Sequence, residues 1–374
     1  MEHTSAKQTE FPKSISSGAQ AIDLLLSYAM QNMASDIHCD PVRDSIVIML
    51  RVDGILKRVG EFSLSIHDEF ISRLKILSGA RTDIHNIPQD GRWQSDIDGH
   101  LYNIRISFMP TYYGENAVLR LLPVSVSKQP SLKDLGFVCD HVEMITRALT
   151  KTSGLIIVTG PTGSGKTTTL HTCLSMKTAE PISIVTLEDP VEYEIPGVRQ
   201  IHIRHTHGVT FASGLRAVLR QDPDVIMVGE IRDAETAHVA IHTALTGHLV
   251  LTTLHTNSAL ETIPRLIDMG VDSYLLAATL RLIVAQRLVR IVCRECEGNG
   301  CNTCCMSGYN GRTIIAEVCE IDGELSRLIS RKSTSLEIET HALSRGFQWL
   351  HDDGMEKVDW GITTKEEIVR VMHS

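Results

Sequence analysis

The sequence predicts an α/β protein of two domains, the second built on a parallel β-sheet. Its 374 residues exceed what one ordinary hydrophobic core contains. Beyond residue 150, short apolar runs alternate with segments of helical periodicity, as in βαβ units. A glycine-rich loop, GPTGSGKT, separates the first of these runs from the first helical segment. Together these features are typical of a nucleotide-binding core preceded by a smaller domain.

The composition narrows the class of protein. With 43% hydrophobic and 22% charged residues, the chain resembles ordinary globular proteins. The formal net charge of −9 argues against nucleic-acid binding as the main activity, because neutralising phosphates requires a basic excess. No apolar run reaches the roughly 18–20 residues that span a bilayer. We therefore expect a cytoplasmic protein with no nucleic-acid partner.

The N-terminal domain is predicted over residues 19–124, after a flexible tail of residues 1–18. The tail is rich in Ser, Lys, Gln and Thr and has too few apolar residues to bury itself. Apolar residues then recur on one side of a helix that begins at Ala19. Residues 125–131 combine Ser, Lys, Gln and Pro and are the predicted linker.

Two hairpins and a further strand fill this first domain. Asp-Gly pairs at 53–54 and 98–99 each join two strand patterns, which is the strongest short hairpin signal. Alternation places Arg105 on the polar face of the strand that follows the second pair. Arg120 lies within another predicted strand, 116–122. The residues alone favour ordinary solvated sheet positions for both arginines.

The glycine-rich loop carries the chemistry of a phosphate cradle. Its glycines let backbone N–H groups surround an anion, and the following helix directs its positive end at the same point. Lys166 is expected to reach the β- and γ-phosphates, and the Thr167 hydroxyl to ligate Mg²⁺. The predicted binding residues are Gly160, Pro161, Thr162, Gly163, Ser164, Gly165, Lys166, Thr167 and Thr168.

Acidic and imidazole side chains flank the other predicted strands, 182–187, 225–228 and 249–252. Ligands of open α/β sheets lie beyond the carboxyl ends of the strands, so we expect these side chains to converge on the phosphate loop. Carboxylates in such places also serve as helix caps, which is the alternative. The residues concerned are Glu188, Glu230, His248 and His255.

Glu230 is the first choice for orienting a water beside the γ-phosphate and for holding Mg²⁺ through its water shell. Gly229 precedes it where an aspartate is usual, which leaves direct metal ligation by this strand open. Arg216 and Arg220 are i,i+4 and should share a positive helix face. A helix is also expected from Tyr274 to Ile291.

Five of the nine cysteines lie within residues 293–305. In a reducing compartment such a cluster is a better candidate for a metal site than for a disulfide framework. Two Cys-x₂-Cys pairs can supply four thiolates to tetrahedral Zn²⁺, although the four-residue gap between the pairs leaves strain or a lost site as the alternative. The predicted ligands are Cys293, Cys296, Cys301 and Cys304. Residues 325–374 are predicted to be mostly helical.

Four motifs in order give a family resemblance. GPTGSGKT is followed by LEDPVEY at 187–193, RQDPDVIMVGEIRD at 220–233 and TGHLVLTTLHT at 246–256. With these motifs the chain resembles the secretion ATPase superfamily, which drives type II secretion and type IV pilus assembly or retraction. The resemblance extends from ASDIH at 34–38 to the C-terminus.

The resemblance implies a PAS-like N-terminal α/β domain on a RecA-like ATPase domain (132–374), assembled into a homo-hexamer that uses ATP and Mg²⁺. It implies arginine fingers at Arg105 and Arg120, an acidic-box role for Glu188, a Walker B role for Glu230, a histidine box at His248 and His255, and further pattern arginines at Arg216 and Arg220. The implied partners are an inner-membrane platform protein, through which the motor is held at the membrane, and indirectly pilin or pseudopilin.

Two features separate the branches of the family. The cysteine-rich element, 293–312, resembles the tetracysteine element of assembly and secretion motors, which retraction motors typically lack. The sequence shows no large N-terminal docking domain, and in this respect it is more like retraction motors. We expect an assembly motor; a retraction motor and a nucleotide-binding ring with vestigial hydrolysis are the alternatives.

Overall fold

The computed structural model describes residues 11, 15, 17–124, 129–204 and 208–373. Contacts divide the chain into two compact units. The N-terminal unit combines Met1–Ser127 with Val292–Gly311, and the C-terminal unit combines Lys128–Ile291 with Arg312–Ser374. The cysteine-rich segment, predicted as part of the ATPase domain, is thus grouped by its contacts with the N-terminal unit. Most of the predicted linker and tail lies outside the described residues.

The N-terminal unit is an antiparallel sheet with two helices. Its elements are α1 (Gly18–Gln31), β1 (Asp36–Pro41), β2 (Ser45–Val52), β3 (Ile55–Ser63), α2 (His67–Ser78), β4 (Gln89–Ile97), β5 (His100–Thr111) and β6 (Gly114–Pro123), with a 3₁₀ turn at Leu64–Ile66. The strand order is β3-β2-β1-β6-β5-β4. Both helices contribute to a hydrophobic core with one face of this sheet.

Local chemistry explains the two hairpins. Asp53 and Gly54 have φ values of 48° and 82°, and Asp98 and Gly99 have 51° and 82°. Two successive positive φ values are what a tight two-residue hairpin turn requires, and Asp-Gly tolerates them. Both hairpins predicted from the sequence are confirmed.

The predicted tail needs one correction. Phe11 stacks on Phe62 with ring centroids 5.1 Å apart and meets Tyr28 edge-on at 5.5 Å. Ile15 also packs against the core of the N-terminal unit. The overall composition of residues 1–18 did not indicate these two contacts. A single aromatic ring can bury a large area even where the apolar content of the segment is low.

The C-terminal unit is a sheet with helices on both faces. Its elements up to the sheet's last strands are α3 (Leu132–Leu135), α4 (Cys139–Leu149), β7 (Gly154–Thr159), α5 (Lys166–Lys177), β8 (Ile184–Glu188), β9 (Arg199–His202), α6 (Phe211–Val218), β10 (Val225–Val228), α7 (Ala234–Leu245), β11 (Leu249–Leu254), α8 (Thr262–Asp268) and α9 (Ser273–Thr279), with a 3₁₀ turn at Leu219–Gln221. Then follow β12 (Leu280–Val292), β13 (Tyr309–Glu320), α10 (Gly323–Ser330), α11 (Ser335–Ser344), α12 (Leu350–Asp359) and α13 (Lys365–Met372).

The strand order is β13-β12-β7-β11-β10-β8-β9, and the neighbours from β12 to β9 pair in parallel. Every residue of β7, β8, β10 and β11 is buried, as strands covered on both faces must be. One hydrophobic cluster lies on each face. The predicted α/β fold with a parallel nucleotide-binding core and a helical C-terminal segment is confirmed.

The helix predicted from Tyr274 to Ile291 is wrong. Only α9 is helical there, and β12 begins at Leu280 and pairs with β7. The segment is rich in Ile and Val, which favour strands, and its near-continuous burial beside β7 outweighs the helical spacing of its apolar residues. Among the described residues, no helix is both long enough and apolar enough to cross a membrane.

Candidate functional site

The phosphate loop connects the carboxyl end of β7 to the first turn of α5. Gly160, Gly163 and Gly165 have φ values of 141°, 79° and 86°, a region that favours glycine. A Cβ on Gly160 would lie 2.4 Å from the carbonyl oxygen of Gln286, so no larger residue fits there. Gly165 is the N-cap of α5, and no side chain caps this helix. Within the described residues, the N–H groups of its first turn are therefore left without a capping side chain and are available to an anion in the loop.

Gln286 on β12 braces this loop. Its Nε2 donates to the carbonyl oxygen of Ser164 at 2.8 Å, and its Oε1 accepts from Thr169 Oγ1 at 2.9 Å. Gln286 is fully buried, so both bonds are shielded from water. Sequence reasoning missed this residue because it assigned the segment to a helix. The run of β-branched residues around it could have indicated a strand.

Lys166 lies against the loop backbone. Its Nζ donates to the carbonyl oxygens of Gly160 and Pro161 at 2.9 and 3.0 Å. Burial lowers the pKa of Lys166 to about 8, and the nearby Glu230 carboxylate opposes this shift. The ammonium group is therefore held close to its titration point beside the place where phosphate would bind. Thr167, the predicted Mg²⁺ ligand, is exposed.

Glu230 and His255 meet at the same edge of the sheet. They follow the carboxyl ends of neighbouring parallel strands, β10 and β11. His255 Nε2 lies 3.6 Å from Glu230 Oε2, and Arg232 Nη2 lies 2.6 Å from Glu230 Oε1. The register of β11 on β7 pairs Leu254 with Thr159, which places His255 beside the start of the phosphate loop, and the Glu230 carboxylate acts to raise the pKa of Lys166. The structure thus brings Lys166, Glu230 and His255 together, as the strand topology predicts.

Glu188 occupies a different environment. It ends β8 and is 3% exposed. Its Oε2 lies 3.1 Å from His171 Nε2 on α5, and its Oε1 accepts from Thr186 Oγ1 at 2.5 Å and from Gln200 Nε2 at 3.0 Å. Burial alone would raise the pKa of Glu188, but these partners outweigh it and hold the pKa below its ordinary value. This carboxylate is buried behind the loop rather than open to a ligand.

His248 does not join the cluster, so the expectation that it converges on this loop is wrong. The parallel register pairs Leu249 with Gly154 and Leu254 with Thr159. His248 therefore lies at the amino end of β11, about 20 Å of strand away from His255. Its Nδ1 lies 3.1 Å from the carbonyl oxygen of Thr243 at the end of α7.

Arg216 and Arg220 are engaged elsewhere. Arg216 Nη1 pairs with Glu235 Oε1 at 2.8 Å, and Arg220 Nη1 donates to the carbonyl oxygen of Arg216 at 3.0 Å. These contacts join α6 and the 3₁₀ turn after it to the start of α7. A nucleotide-binding role for the two arginines stays a prediction.

The loop fits a phosphate ligand on its own geometry. Ser164 Oγ is buried and has no hydrogen-bond partner in the described part of the chain. A buried, unpaired hydroxyl is costly unless a ligand or water completes it. Together with the first turn of α5, which no side chain caps, and the Lys166 ammonium group, it supplies several donors to one anion.

The four predicted cysteine ligands also converge. Their Sγ atoms all lie within 4.8 Å of one another. Cys293 and Cys301 are 3.8 Å apart at sulfur, and Cys296 and Cys304 are 3.7 Å apart. Tetrahedral zinc with Zn–S bonds of about 2.3 Å requires sulfur separations of about 3.8 Å. The short gap between the pairs therefore allows the four sulfurs to converge, and the residues present fit zinc.

Backbone N–H groups support the thiolates. Gly300 donates to Cys296 Sγ at 3.2 Å, and Cys301 and Gly308 donate to Cys304 Sγ at 3.2 and 3.3 Å. Burial would raise the pKa of Cys304, but these two amides help to lower it to about 6. Thiolate is the form that binds metal, so the surroundings of Cys304 favour the ligand state, whereas burial and the neighbouring thiols raise the pKa of Cys296 to about 11.

The two predicted arginine fingers are neighbours in the N-terminal unit. Arg105 on β5 stands directly opposite Arg120 on β6. Arg120 Nε donates to Asp36 Oδ1 at 2.9 Å. Their side chains lie on the sheet face opposite the hydrophobic core, as the alternation predicts.

A parallel sheet with a phosphate loop at its carboxyl edge, a buried lysine and an adjacent glutamate defines the class of P-loop ATPases. Comparison with known proteins agrees. Residues 13–370 match the family "Type II/IV secretion system protein". The chain is 42% identical over 358 residues to the type II secretion system protein HxcR of Pseudomonas aeruginosa, covering 94% of this chain and 76% of that protein.

Two further relatives are informative. The type II secretion system ATPase E of Vibrio cholerae is 38% identical over 375 residues, covering 94% of this chain and 74% of that protein. The crystal structure of the pilus retraction motor PilT with bound ADP is 28% identical with a TM-score of 0.69, covering 93% of this chain and 96% of that chain. The chain belongs to the type II/IV secretion system protein family and is an ATPase of the secretion and pilus motor class. The family predicted from the motifs is confirmed.

Proposed function

We propose that this protein is a hexameric motor that hydrolyses ATP to add pilin or pseudopilin subunits through an inner-membrane platform protein. The observation that carries the proposal is the meeting of Glu230 and His255 at the sheet edge where β7 leads into the phosphate loop. Membership in a family that contains type II secretion ATPases supports the secretion or pilus setting.

The residues divide the work at the loop. Amide N–H groups of the loop and the first turn of α5 hold the β- and γ-phosphates, and Lys166 exchanges two carbonyl acceptors for phosphate oxygens. Glu230 orients the attacking water, with His255 beside it to fix the carboxylate. The Thr167 hydroxyl would hold Mg²⁺, and the metal would supply positive charge to the transferred phosphoryl group. Thr162, Gly163 and Thr168 complete the binding set.

Arg105 and Arg120 are proposed to act on the nucleotide of another copy in the ring. Arginine fingers contribute on the order of 10³–10⁵ in rate to phosphoryl transfer. We propose that His248 also acts on the nucleotide of another copy, because the phosphate loop of its own chain lies at the other end of β11.

The cysteine cluster favours assembly over retraction. Sulfur spacings that suit zinc support a structural metal site, which is the feature expected of assembly and secretion motors. Retraction is the second candidate, and the likeness to PilT over 93% of this chain supports it.

Purified parent protein, Lys166→Ala and Glu230→Gln test the activity. We expect Mg²⁺-dependent hydrolysis by the parent, loss of nucleotide binding in Lys166→Ala, and retained binding with a rate lowered roughly 10²-fold or more in Glu230→Gln. Hydrolysis at the parent rate by either variant would refute the role of the residue that it replaces. If deletion of the gene abolishes filaments or secretion and the parent protein restores them, assembly is supported. Excess surface filaments in the deletion strain would instead support retraction.

A further inference from the structure

The Thr159 hydroxyl contacts both residues that flank His255. Thr159 is the last residue of β7 and is fully buried. Its Oγ1 donates to the carbonyl oxygen of Leu254 at 3.0 Å and accepts from the backbone N–H of Thr256 at 2.8 Å. Because these bonds are shielded from water, they hold the backbone firmly on each side of the histidine.

A chain of threonine hydroxyls extends this contact to α8. Thr256 Oγ1 lies 2.9 Å from Thr159 Oγ1 and 2.9 Å from Thr262 Oγ1. Thr262 is the first residue of α8 and is fully buried. A hydroxyl group donates one hydrogen bond and accepts two, so all three members of this threonine chain can be satisfied together. The segment that carries His255 is therefore fixed to β7 at one side and to α8 at the other.

The segment that carries Glu230 is held separately. Thr253 Oγ1 donates to the carbonyl oxygen of Gly229 at 2.7 Å, and the Thr253 carbonyl oxygen accepts from the backbone N–H of Ile231 at 3.0 Å. These bonds fix the residues before and after Glu230, whose Oε2 lies 3.6 Å from His255 Nε2. The two halves of this contact thus depend on different threonines, and the His255 half depends on the threonine chain.

We propose that Thr159 is a positioning residue for ATP hydrolysis, which sets the His255 imidazole against the Glu230 carboxylate. It acts through His255, because its hydroxyl bonds to the residues on both sides of the histidine. Thr159 also precedes Gly160, whose carbonyl oxygen accepts from Lys166 Nζ, so the same residue joins the start of the phosphate loop to the histidine. The role of His255 in hydrolysis rests on the proposed function, whereas the hydrogen bonds of Thr159 do not.

Hydrogen exchange measures the contact without hydrolysis. The backbone N–H of Thr256 donates to Thr159 Oγ1, so Thr159→Val should make this amide exchange roughly 10-fold faster. Thr159→Ser keeps a hydroxyl and should keep the slow exchange. Thr279→Val is the matched control, because the buried Thr279 hydroxyl donates to the carbonyl oxygen of Leu275 at 2.8 Å and Thr279 lies beside Gly154, at the amino end of β7. Equal exchange in all four proteins would overturn the inference.

Kinetics test the role in hydrolysis. Thr159→Val should lower kcat roughly 3- to 10-fold and change the KM for ATP less than about twofold, because the phosphate loop keeps its own contacts. Thr159→Ser should restore the rate, whereas Thr279→Val should lower the melting temperature to a similar extent at the parent kcat. A higher KM with unchanged kcat in Thr159→Val, or an equal loss of kcat in Thr279→Val, would overturn the inference. Thr159→Cys, whose thiol accepts hydrogen bonds weakly, gives the same test if Thr159→Val does not fold.

A double-mutant cycle identifies the residue through which Thr159 acts. In a His255→Asn background, Thr159→Val should have no further effect on kcat. Losses that multiply in the double variant would show that Thr159 acts by another route. The proposed function fails in a different way: His255→Asn protein that hydrolyses ATP at the parent rate would refute the role of His255, while the exchange rate of the Thr256 amide still decides whether the Thr159 contacts exist.

Discussion

His171 Nε2 lies 3.1 Å from Glu188 Oε2, and the two side chains are 0% and 4% exposed. His171 is on α5, directly behind the phosphate loop, and Glu188 ends β8. The pair therefore ties the phosphate-binding helix to the neighbouring strand. Because the Glu188 side chain is buried with a partner on each oxygen, we infer that it acts by positioning α5. The Glu230 side chain is 16% exposed at the edge of the sheet, and we infer that it is the carboxylate that reaches the reacting groups.

Glu188→Gln and Glu230→Gln should separate these two roles. The buried Glu188 side chain contacts three partners, and a buried polar group left without its partner costs about 1–3 kcal/mol, so Glu188→Gln should lower both the melting temperature and the hydrolysis rate. Glu230→Gln should lower the rate with little change in melting temperature, because its carboxylate lies at the open edge of the sheet. Calorimetry and steady-state kinetics on the same samples check this, and an unchanged melting temperature in Glu188→Gln would contradict it.

The stabilisation by Glu188 should also depend on pH with a definite sign. The pKa of Glu188 is lowered from its ordinary value of 4.5, so its contribution is complete above pH 4.5. As the pH falls through the lowered folded value, the contribution is lost. The difference in unfolding free energy between parent and Glu188→Gln, measured in urea, should therefore be large at pH 7 and shrink in acid below pH 4.5.

Nucleotide affinity should fall in mild alkali because the pKa of Lys166 is lowered to about 8. Below that pH the ammonium group is charged and ready for phosphate, and above it binding must take up a proton, which costs up to about tenfold in affinity per pH unit. Fluorescent ADP binding between pH 7 and 9.5 measures this. Glu230 raises the pKa of Lys166, so Glu230→Gln should move the loss of affinity to lower pH. A shift in the other direction would show that the two groups do not interact as described.

The brace at Gln286 should control the shape of the loop. Gln286→Leu leaves Ser164 and Thr169 without partners, each at about 1–3 kcal/mol if buried and unsatisfied. We expect the KM for ATP to rise roughly 10-fold, with a smaller change in kcat. Thr169→Val removes only one of the two bonds and should have a lesser effect. Equal effects of the two variants would show that the bond to Ser164 is unimportant.

Zinc content should depend on Cys304 and not on its neighbour. Cys304→Ser removes one of four converging thiolates, whereas Cys305 is exposed and contacts Asn32 Oδ1 at 3.4 Å instead of the cluster. Plasma emission spectrometry should find close to one zinc per chain in the parent and in Cys305→Ser, and little in Cys304→Ser. Equal zinc in all three proteins, or none in the parent, would refute the site.

The sequence was informative where a residue's role is local. The phosphate loop follows from glycine conformation and the adjacent strand and helix, and the Asp-Gly hairpins follow from turn chemistry. Roles that depend on how strands are aligned with their neighbours could not be predicted from the sequence. His248 belongs to the same motif as His255, but strand direction separates them. Gln286 was hidden by the mistaken helix, and the contact of Thr159 with both neighbours of His255 emerges only when β7 and β11 are aligned across 95 residues of sequence.

The grouping of Val292–Gly311 with Met1–Ser127 has a consequence for biosynthesis. The N-terminal unit is discontinuous in sequence, so the first 127 residues leave the ribosome without the segment that completes their own contacts. At about 5–20 residues per second, that segment follows on the order of 10–40 s later. During this interval Asp53 lacks the hydrogen bond that its Oδ2 accepts from the backbone N–H of Gly311. The N-terminal unit is therefore completed only after most of the C-terminal unit has been synthesised.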